Sequence, residues 1–520
     1  MSGGLPKGWV EALIDDVFYV TDYVANGSFA SLRENVEYKK QKDYAVLVRL
    51  TDNTRKWNGD YVYVDKHAYD FLSKSKLFPN DIVMCNVGAP GQLFRVPDLG
   101  QPMTLGPNSI LIRPLSKEIL SSLIEAYFKS FTGIIAIKSL LSATAQSKFN
   151  KTGFRSLRFP LPPLNEQKRI VAKLDAIMPR IDVVKERLEK MPSMLKRFRQ
   201  SVLTAAVTGK LTEKWREEHP EAESAEEMLS RIFSERIISA SAPKQKQKIE
   251  SIYSEIESGG NAQLPETWRY SNLNKVCKSF QYGTSAKSDA QGKVPVLRMG
   301  NLQNGKIDWS DLAYTSNVSE IKKYKLRKNS VLFNRTNSPE LVGKTAIYEG
   351  EREAIFAGYL ILIENLEELD SHYLNYALNT SYAKEFCYRE KTDGVSQSNI
   401  NAQKLAHFEI PLPPLDEQKE IVRQVDKLFA LADKVEEHYQ KARARVEALA
   451  QSVLAKAFRG ELVPQNPDDE PAEKMLQRIQ EEKTKMEAEL KTAPRSARET
   501  RKNGAKTQRA RHEEKQASEP

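Results

Sequence analysis

The segment Phe159-Pro-Leu-Pro-Pro-Leu-Asn-Glu-Gln-Lys-Arg-Ile-Val returns about 250 residues later as Ile410-Pro-Leu-Pro-Pro-Leu-Asp-Glu-Gln-Lys-Glu-Ile-Val. The correspondence runs without a gap for about fifty residues, from Pro160 against Pro411 to Gly209 against Gly460, with Leu211 and Leu462 two residues beyond each glycine. A period this large excludes the short solenoid repeats. A repeat this long without insertion implies an element of constrained length. The two copies separate two long segments that do not resemble each other.

At 520 residues the chain exceeds one hydrophobic core, and length predicts about three or four structural units. Its formal charge of +10, from 79 Lys+Arg against 69 Asp+Glu, permits a polyanionic partner without requiring one. Cys85, Cys277 and Cys387 lie far apart with no C-x-x-C pair, which argues against a zinc site or a disulfide framework and fits a reducing compartment. The start Met1-Ser-Gly-Gly-Leu-Pro-Lys-Gly-Trp lacks a signal-peptide core, and no run approaches about eighteen apolar residues. A soluble, cytoplasmic protein without a membrane partner is expected.

A smaller echo frames the first. Leu5-Pro-Lys-Gly-Trp9 is similar to Leu264-Pro-Glu-Thr-Trp268, and each opens a variable segment. The unit reads Leu-Pro-x-x-Trp, variable segment, Pro-Leu-Pro-Pro-Leu, helix, Gly-x-Leu, and then repeats. A third echo, Met228-Leu-Ser-Arg-Ile against Met475-Leu-Gln-Arg-Ile, follows each helix at a slightly different distance. Within the variable segments, runs from Tyr44 to Leu50, Tyr61 to Val64, Val294 to Met299, Ser330 to Phe333 and Tyr359 to Ile363 read as strands. Helical patches at Ile119 to Phe131 and His372 to Tyr388 interrupt them, so both segments are expected to be α+β domains.

The shared segments have helical periodicity. Leu174, Ile177, Ile181, Val184, Leu188, Met191, Leu195, Phe198 and Val202 are spaced alternately three and four apart. The same positions in the second copy are Val425, Leu428, Ala432, Val435, Tyr439, Ala442, Val446, Leu449 and Val453. This is the seam of a coiled coil. Asn165 and Asp416 are the expected N-caps, with Glu166 and Glu417 in the first turn, where the helix dipole favours a carboxylate. Pro179 and Pro192 predict a kinked or broken first helix against a straighter second one. An unbroken helix of about 40 residues spans roughly 60 Å, more than one turn of duplex DNA at about 34 Å.

Polar composition makes 223–262 a linker, and 467–520 a short helix around Met475 to Leu490 followed by a disordered basic tail. The expected division is therefore 1–158, a first globular domain; 159–222, a helical region; the linker; 263–409, a second domain; 410–466, a second helical region; and the tail. No phosphate-cradling G-x-G-x-x-G or G-x-x-x-x-G-K-[S/T] and no H-E-x-x-H occurs. The Asn/Asp-Pro-Pro-aromatic loop of amino-methyltransferases is missing as well. Glu166-Gln-Lys168 and Glu417-Gln-Lys419 match part of a nuclease metal site, but lack its Pro-Asp partner and have a structural reading as first-turn residues. The six histidines are scattered. No catalytic residue and no metal site is expected.

The paired Pro-Leu-Pro-Pro-Leu-[Asn/Asp]-Glu-Gln helices, with Leu195-Lys-Arg-Phe-Arg-Gln-Ser-Val-Leu203 and Gly209-Lys-Leu-Thr-Glu-Lys-Trp215 in one copy and Leu449-Ala-Gln-Ser-Val-Leu-Ala-Lys-Ala-Phe-Arg-Gly-Glu-Leu462 in the other, resemble the specificity subunits of type I restriction-modification enzymes, most closely the subfamily of the enteric K and B systems. The resemblance covers nearly the whole chain. It implies two α+β target-recognition domains joined by two long helices packed as an antiparallel coiled coil with circular pseudo-two-fold symmetry. It implies a non-catalytic subunit that reads bipartite, asymmetric double-stranded DNA and positions two modification subunits that methylate adenine at N6, joined by motor-nuclease restriction subunits. No cofactor is expected on this chain; S-adenosylmethionine, ATP and Mg belong to the partners. Two half-proteins related by a dyad suit the local two-fold axes of DNA, with helices of fixed length as the ruler.

Arg and Asn/Gln can make bidentate contacts to guanine and adenine edges in the major groove. In the second domain Arg298, Asn301, Gln303 and Asn304 follow a predicted strand, where the resemblance implies a DNA-facing loop, and Arg335, Asn337 and Lys344 form a second candidate loop. In the first domain Arg49, Asp52, Asn53, Arg55 and Lys56 occupy the analogous place, with Asn86 a further candidate. Lys287, Lys322 and Lys323 suit phosphates, positioning without specifying. The rival reading is a coiled-coil adaptor whose domains bind proteins; a self-contained methyltransferase or nuclease would need motifs this sequence lacks.

Overall fold

The computed structural model describes residues 4–142, 147–259, 263–394 and 397–492. The chain divides into two compact units: one combines the chain up to Arg187 with the part from Ala442 onward, and the other is Leu188–Lys441. Each is a mixed helix and sheet body, and the long helices are shared between them instead of forming a body of their own. The first unit holds the start of the first long helix and the end of the second; the second unit holds the end of the first and the start of the second. Within each unit the two helices therefore run antiparallel. Lys185 pairs with Glu447 at 2.8 Å in the first unit, and Arg199 pairs with Asp433 and Glu436 at 2.7 and 3.3 Å in the second.

The variable segments, unlike in sequence, share a topology. In the first unit an antiparallel sheet takes the order Phe18–Asp22, Ser109–Pro114, Ile82–Cys85, Leu93–Arg95. In the second the order Cys277–Tyr282, Leu360–Asn365, Ser330–Asn334, Thr345–Tyr348 repeats it, extended by two further short strands. A second sheet in each unit pairs an apolar strand with a parallel partner, Ala45–Val48 with Met103–Leu105 and Val294–Leu297 with Ile355–Phe356. All residues of Ala45–Val48 and Val294–Leu297 are buried, as strands covered on both faces require. The predicted patch Ile119 to Phe131 is one helix with a second beginning at its end, and the patch His372 to Tyr388 is two helices. Ser121–Lys129 gives way to Phe131–Lys138 at Ser130, and Ser371–Leu378 to Ser381–Glu390 near Thr380. Ser130 and Thr380 break the pattern because each hydroxyl caps the following helix, accepting from Gly133 N–H at 3.3 Å and from Ala383 N–H at 3.2 Å.

The first long helix, Leu164–Glu189, ends ahead of Pro192, and a second one, Met191–Val207, follows with that proline in its first turn; Pro179 lies inside the first. The second copy is one uninterrupted helix, Leu415–Phe458. Both begin one residue before the expected caps. The carbonyls of Pro163 and Pro414 accept the first helical bonds, from Gln167 and Gln418 N–H at 2.9 and 3.0 Å, so Asn165 and Asp416 are helical and not N-caps. Of the seam, Leu174, Ile181, Leu195, Val202, Val425, Ala432, Tyr439 and Val453 are buried and most others half-buried. Val184, Phe198 and Leu449 are exposed, against expectation, at 41, 38 and 52%. A 3.5-residue repeat drifts around a helix of 3.6 residues per turn, and next to Leu449 the buried position passes to Ala450. Toward each end a wider stripe enters a domain core: Val202, Leu203, Ala206 and Val207 in one unit, and Val453, Leu454, Ala457 and Phe458 in the other.

The repeated motifs close on one another in each unit. Trp9 Nε1 donates to Glu166 at 2.9 Å and Trp268 Nε1 to Glu417 at 2.8 Å, both carboxylates buried in the first turns of the long helices. The neighbouring glutamines, also buried, fasten the helix to the domain: Gln167 donates to Pro162 O and accepts from Leu120 N–H, while Gln418 donates to Pro413 O and accepts from Asp370 N–H. Gly460 and Gly209 lie with φ of +70° and +74° against Pro6 and Pro265; a Cβ there would come within 2.6 and 2.5 Å of the proline ring. Ala472 N–H donates to Gly8 O, and Ala225 N–H to Thr267 O, hooking the next helix onto the same turn.

That helix corrects the expected linker. Residues 223–262 carry the helices Ala225–Ser239 and Pro243–Ser254, the first burying Met228 and Ile232 beside Trp268. Its counterpart Ala472–Thr492 buries Met475 and Ile479 in the first unit and is longer than predicted. The predicted disordered tail beyond it lies outside the described residues.

Candidate nucleic-acid interface

Identical backbone bonds at identical topological positions establish which residues of the two domains correspond. Gly106 N–H donates to Val48 O at 2.8 Å, as Ala357 N–H does to Leu297 O at 2.9 Å; Asn86 N–H donates to Asn108 O and Arg335 N–H to Tyr359 O, both at 3.0 Å. Asn86 O accepts from Phe149 N–H at 3.1 Å, and Arg335 O from Ile400 N–H at 2.8 Å. Arg49 thus corresponds to Arg298, and Asn86 to Arg335. In each domain the loops following two strands are stitched together at one end.

In the second domain Arg298 follows the strand Val294–Leu297, and among the described residues its guanidinium is held only by the 90% exposed Asp311, at 3.1 Å. Its backbone N–H donates to Asn301 Oδ1 at 2.8 Å, and Asn301 Nδ2 donates to the carbonyls of Asp308 and Asp311. Asn301 is 2% exposed, so this candidate base reader is consumed in folding its own turn. Gln303 accepts from Lys344 Nζ at 3.1 Å, joining the two candidate loops, while its amide donates to Gly300 O. Asn304 is exposed at φ +53°, leading the hairpin turn into Gly305. Arg335 donates to Gly358 O at 3.4 Å and Asn399 Oδ1 at 3.1 Å, and lies 4.8 Å from the Tyr282 ring centre. Asn337 pairs with Ser398 in a small sheet formed by Thr336–Asn337, Thr392–Asp393 and Ser398–Asn399. Lys287, Lys322 and Lys323 are exposed, the last two on the helix Val318–Tyr324.

The first domain repeats the turn with different chemistry. Arg49 N–H donates to Asp52 Oδ2 at 2.7 Å, and the guanidinium pairs with Asp52 Oδ1 at 2.8 Å. Asp52 is 2% exposed, so it too belongs to the turn and is unavailable to a base. Asn53 is half-buried, its carbonyl accepting from Lys56 N–H. Arg55 pairs with Asp60, and Lys56 is exposed at φ +55°. Asn86 Nδ2 donates to Phe149 O at 3.3 Å and lines a cavity of about 460 Å³ with Tyr23, Phe29, Arg33, Tyr38 and Asn108.

Sequence reasoning missed Tyr282 and Tyr359, 41 and 48% exposed beside Arg335, and Asn399, which holds it. The repeat marks only the neighbourhood of Asn399: its register extends upstream of the proline motif to identical residues at Gln397, Ser398 and Asn401, while Asn399 itself stands opposite Lys148. Burial raises the Cys277 thiol far above its usual range and pushes that of Cys387 up to about 12, which disfavours the reactive thiolate at both. Among the described residues no group of three or more His, Cys, Asp or Glu could hold a metal ion, and no helix is long and apolar enough to cross a membrane.

The chain thus holds two domains of like topology with different side chains at equivalent loop positions, the architecture of a protein with two reading modules. Residues 6–192 and 265–442 match the type I restriction modification DNA specificity domain, and the chain belongs to this family, which sets the DNA sequence specificity of such systems. It is 30% identical over 507 residues to the type I restriction enzyme EcoKI specificity subunit of Escherichia coli K12, covering 93% of this chain and 97% of that one. It is 28% identical to the StySPI specificity subunit of Salmonella potsdam, covering 90 and 92%, and 28% to the EcoBI specificity subunit of Escherichia coli, covering 89 and 91%. A solved chain from a study of complex assembly and conformational transition of the type I R-M system shares the fold, with a TM-score of 0.61 at 18% identity over 88% of this chain and all of that one. The protein-adaptor reading finds no support in these matches.

Proposed function

We propose that each domain reads one half of a bipartite, asymmetric DNA site and that the long helices set the distance between the halves. In this reading the helices also dock two modification subunits that methylate adenine at N6, motor-nuclease subunits complete the restriction enzyme, and the chain itself catalyses nothing. S-adenosylmethionine, ATP and Mg are bound by those partners, and the complex works in the cytoplasm. The observation that carries the proposal is the substitution of chemistry at equivalent positions: Asn86 for Arg335, Asn108 for Tyr359, and an Arg49 paired with the buried Asp52 where Arg298 pairs with the exposed Asp311. Like scaffolds presenting unlike donors suit two different half-sites.

The base-reading candidates are Arg49, Asn53, Arg55, Lys56 and Asn86 in the first domain, and Arg298, Gln303, Asn304, Arg335, Asn337 and Lys344 in the second. Arg298 can leave its solvent-exposed partner for a base at little cost, since exposed ion pairs contribute about 0–1 kcal/mol. Arg298→Ala should weaken binding to the cognate duplex by about 1 to 3 kcal/mol and relax one position of one half-site. Mapping N6-methyladenine across the source genome tests the function directly. A split motif with a constant spacer is the expected result, and its absence, together with no salt-dependent retardation of bipartite duplexes by the chain and its modification partner, would remove the reading.

A further inference from the structure

The gapless register between the copies continues upstream of the proline motif. It aligns Gln146-Ser-Lys-Phe-Asn150 with Gln397-Ser-Asn-Ile-Asn401, and over the fourteen positions from Gln146 to Phe159 only the glutamine, the serine and the asparagine are identical. The asparagines cap helices, Asn150 accepting from Gly153 N–H at 2.7 Å and Asn401 from Lys404 N–H at 2.8 Å. Ser398 is buried, with its hydroxyl donating to Asp393. Phe149 and Ile400, between them, are buried in the domain cores. Gln397 has no such task. It is exposed, its carbonyl accepts from Gly394 N–H at 2.8 Å, and among the described residues its side chain has no bonding partner.

Its position is informative. Gln397 leads directly into the strand Ser398–Asn399, which pairs with Thr336–Asn337 and whose Asn399 holds Arg335. It therefore flanks the candidate reading loop of its own domain. The adjacent Asp393 carboxylate is paired with Lys391, at 2.6 Å, and accepts a hydrogen bond from the Ser398 hydroxyl, so an anion beside the glutamine meets no bare negative charge.

We infer that Gln397 is a sequence-independent DNA contact, its side-chain amide donating to a backbone phosphate at the edge of the half-site read by the second domain. This rests on the proposed function. What any two half-sites share whatever their bases is the sugar-phosphate backbone, and contacts to it position the protein without specifying sequence, which suits a side chain kept while its neighbours change. The neighbours vary as readers should: Lys148 stands where Asn399 does, and Asn86 where Arg335 does. Gln146 lies outside the described residues and enters only through its sequence register.

The test is a DNA-binding titration of the full chain with its modification partner, comparing Gln397→Ala and Gln397→Arg with the parent. Gln397→Ala should weaken binding roughly tenfold, the effect of losing a hydrogen bond to a charged group. The loss should be equal on the cognate duplex and on duplexes altered at single positions of either half-site, with the methylated motif unchanged. The slope of log affinity against log salt should stay constant, because a neutral amide releases no counterion, whereas Gln397→Arg should restore affinity and steepen the slope by about one. Unaltered affinity of Gln397→Ala on every duplex, or relaxed discrimination at one base position, overturns the inference. Failure of the parent complex to bind any bipartite duplex overturns instead the proposed function on which it rests.

Discussion

Two glutamates in matching first turns have unlike surroundings. Glu417 accepts from Trp268, from Thr212 Oγ1 at 2.6 Å and from Arg216, a buried carboxylate with a cationic partner. Glu166 accepts from Trp9 and, at 3.4 Å, from Gln465. Burial raises its pKa above the ordinary 4.5, against the lowering effect of the Trp9 bond. A carboxyl whose folded pKa is raised holds its proton more tightly when folded, so its contribution to stability falls as pH rises from 4.5 through the raised value. Glu166→Gln should therefore leave the fold at least as stable at pH 7 and flatten that decline, as thermal unfolding across pH 4 to 8 would show. Glu417→Gln should instead cost about 3 kcal/mol, since it leaves Arg216 against a neutral amide. Residue roles of this kind were only half legible. The glutamates were readable as first-turn residues, but their tryptophan partners lie about 150 residues away in sequence. Asp52 and Asn301 were misread as base contacts because a polar residue after a strand looks the same whether it faces DNA or folds back on its own turn.

At the scale of elements, the constant length of the repeated helices has a structural cause at both ends. Glu166 and Gln167, or Glu417 and Gln418, bind the first turn to one domain, while the stripes Val202–Val207 and Val453–Phe458 enter a core about ten turns of sequence later. An insertion must displace one anchor relative to the other. Four extra residues after Ala442 lengthen the Leu415–Phe458 helix by about 6 Å and slightly more than one turn, so the buried stripes keep nearly the same facing. The methylated motif of such a variant should keep both half-sites and change their spacing; an unchanged spacer in the methylation map would reject the ruler. Periodicity identified the helices because an apolar stripe is a local property. It overextended the seam to Leu449, since which flank of the stripe is covered depends on what packs there.

For the whole molecule, the order of motifs was readable as circular, and the closure is physical. The helix after the second repeat packs onto the first domain, with Ala472 N–H bonded to Gly8 O and Met475 fully enclosed. Met475→Ala should cost about 2 to 5 kcal/mol, measured by chemical denaturation, and a chain ending at residue 466 should lose more, because Ile479 and the Arg478–Glu118 pair go with it. Met228 has the same place in the other unit, inside a segment whose composition reads as a linker; three buried side chains on one stripe, Ala225, Met228 and Ile232, are enough to dock a helix, and composition averages them away. The sequence by itself determined the duplication, the helices, their antiparallel suitability and the family, since each rests on periodicity or on order along the chain. Only the tertiary structure showed that the dissimilar domains share one topology and which of their loop residues stand at equivalent positions. Topology is held by backbone hydrogen bonds and apolar burial, which many sequences satisfy equally, whereas a loop side chain is committed to a turn or left free only by neighbours brought to it from elsewhere in the chain.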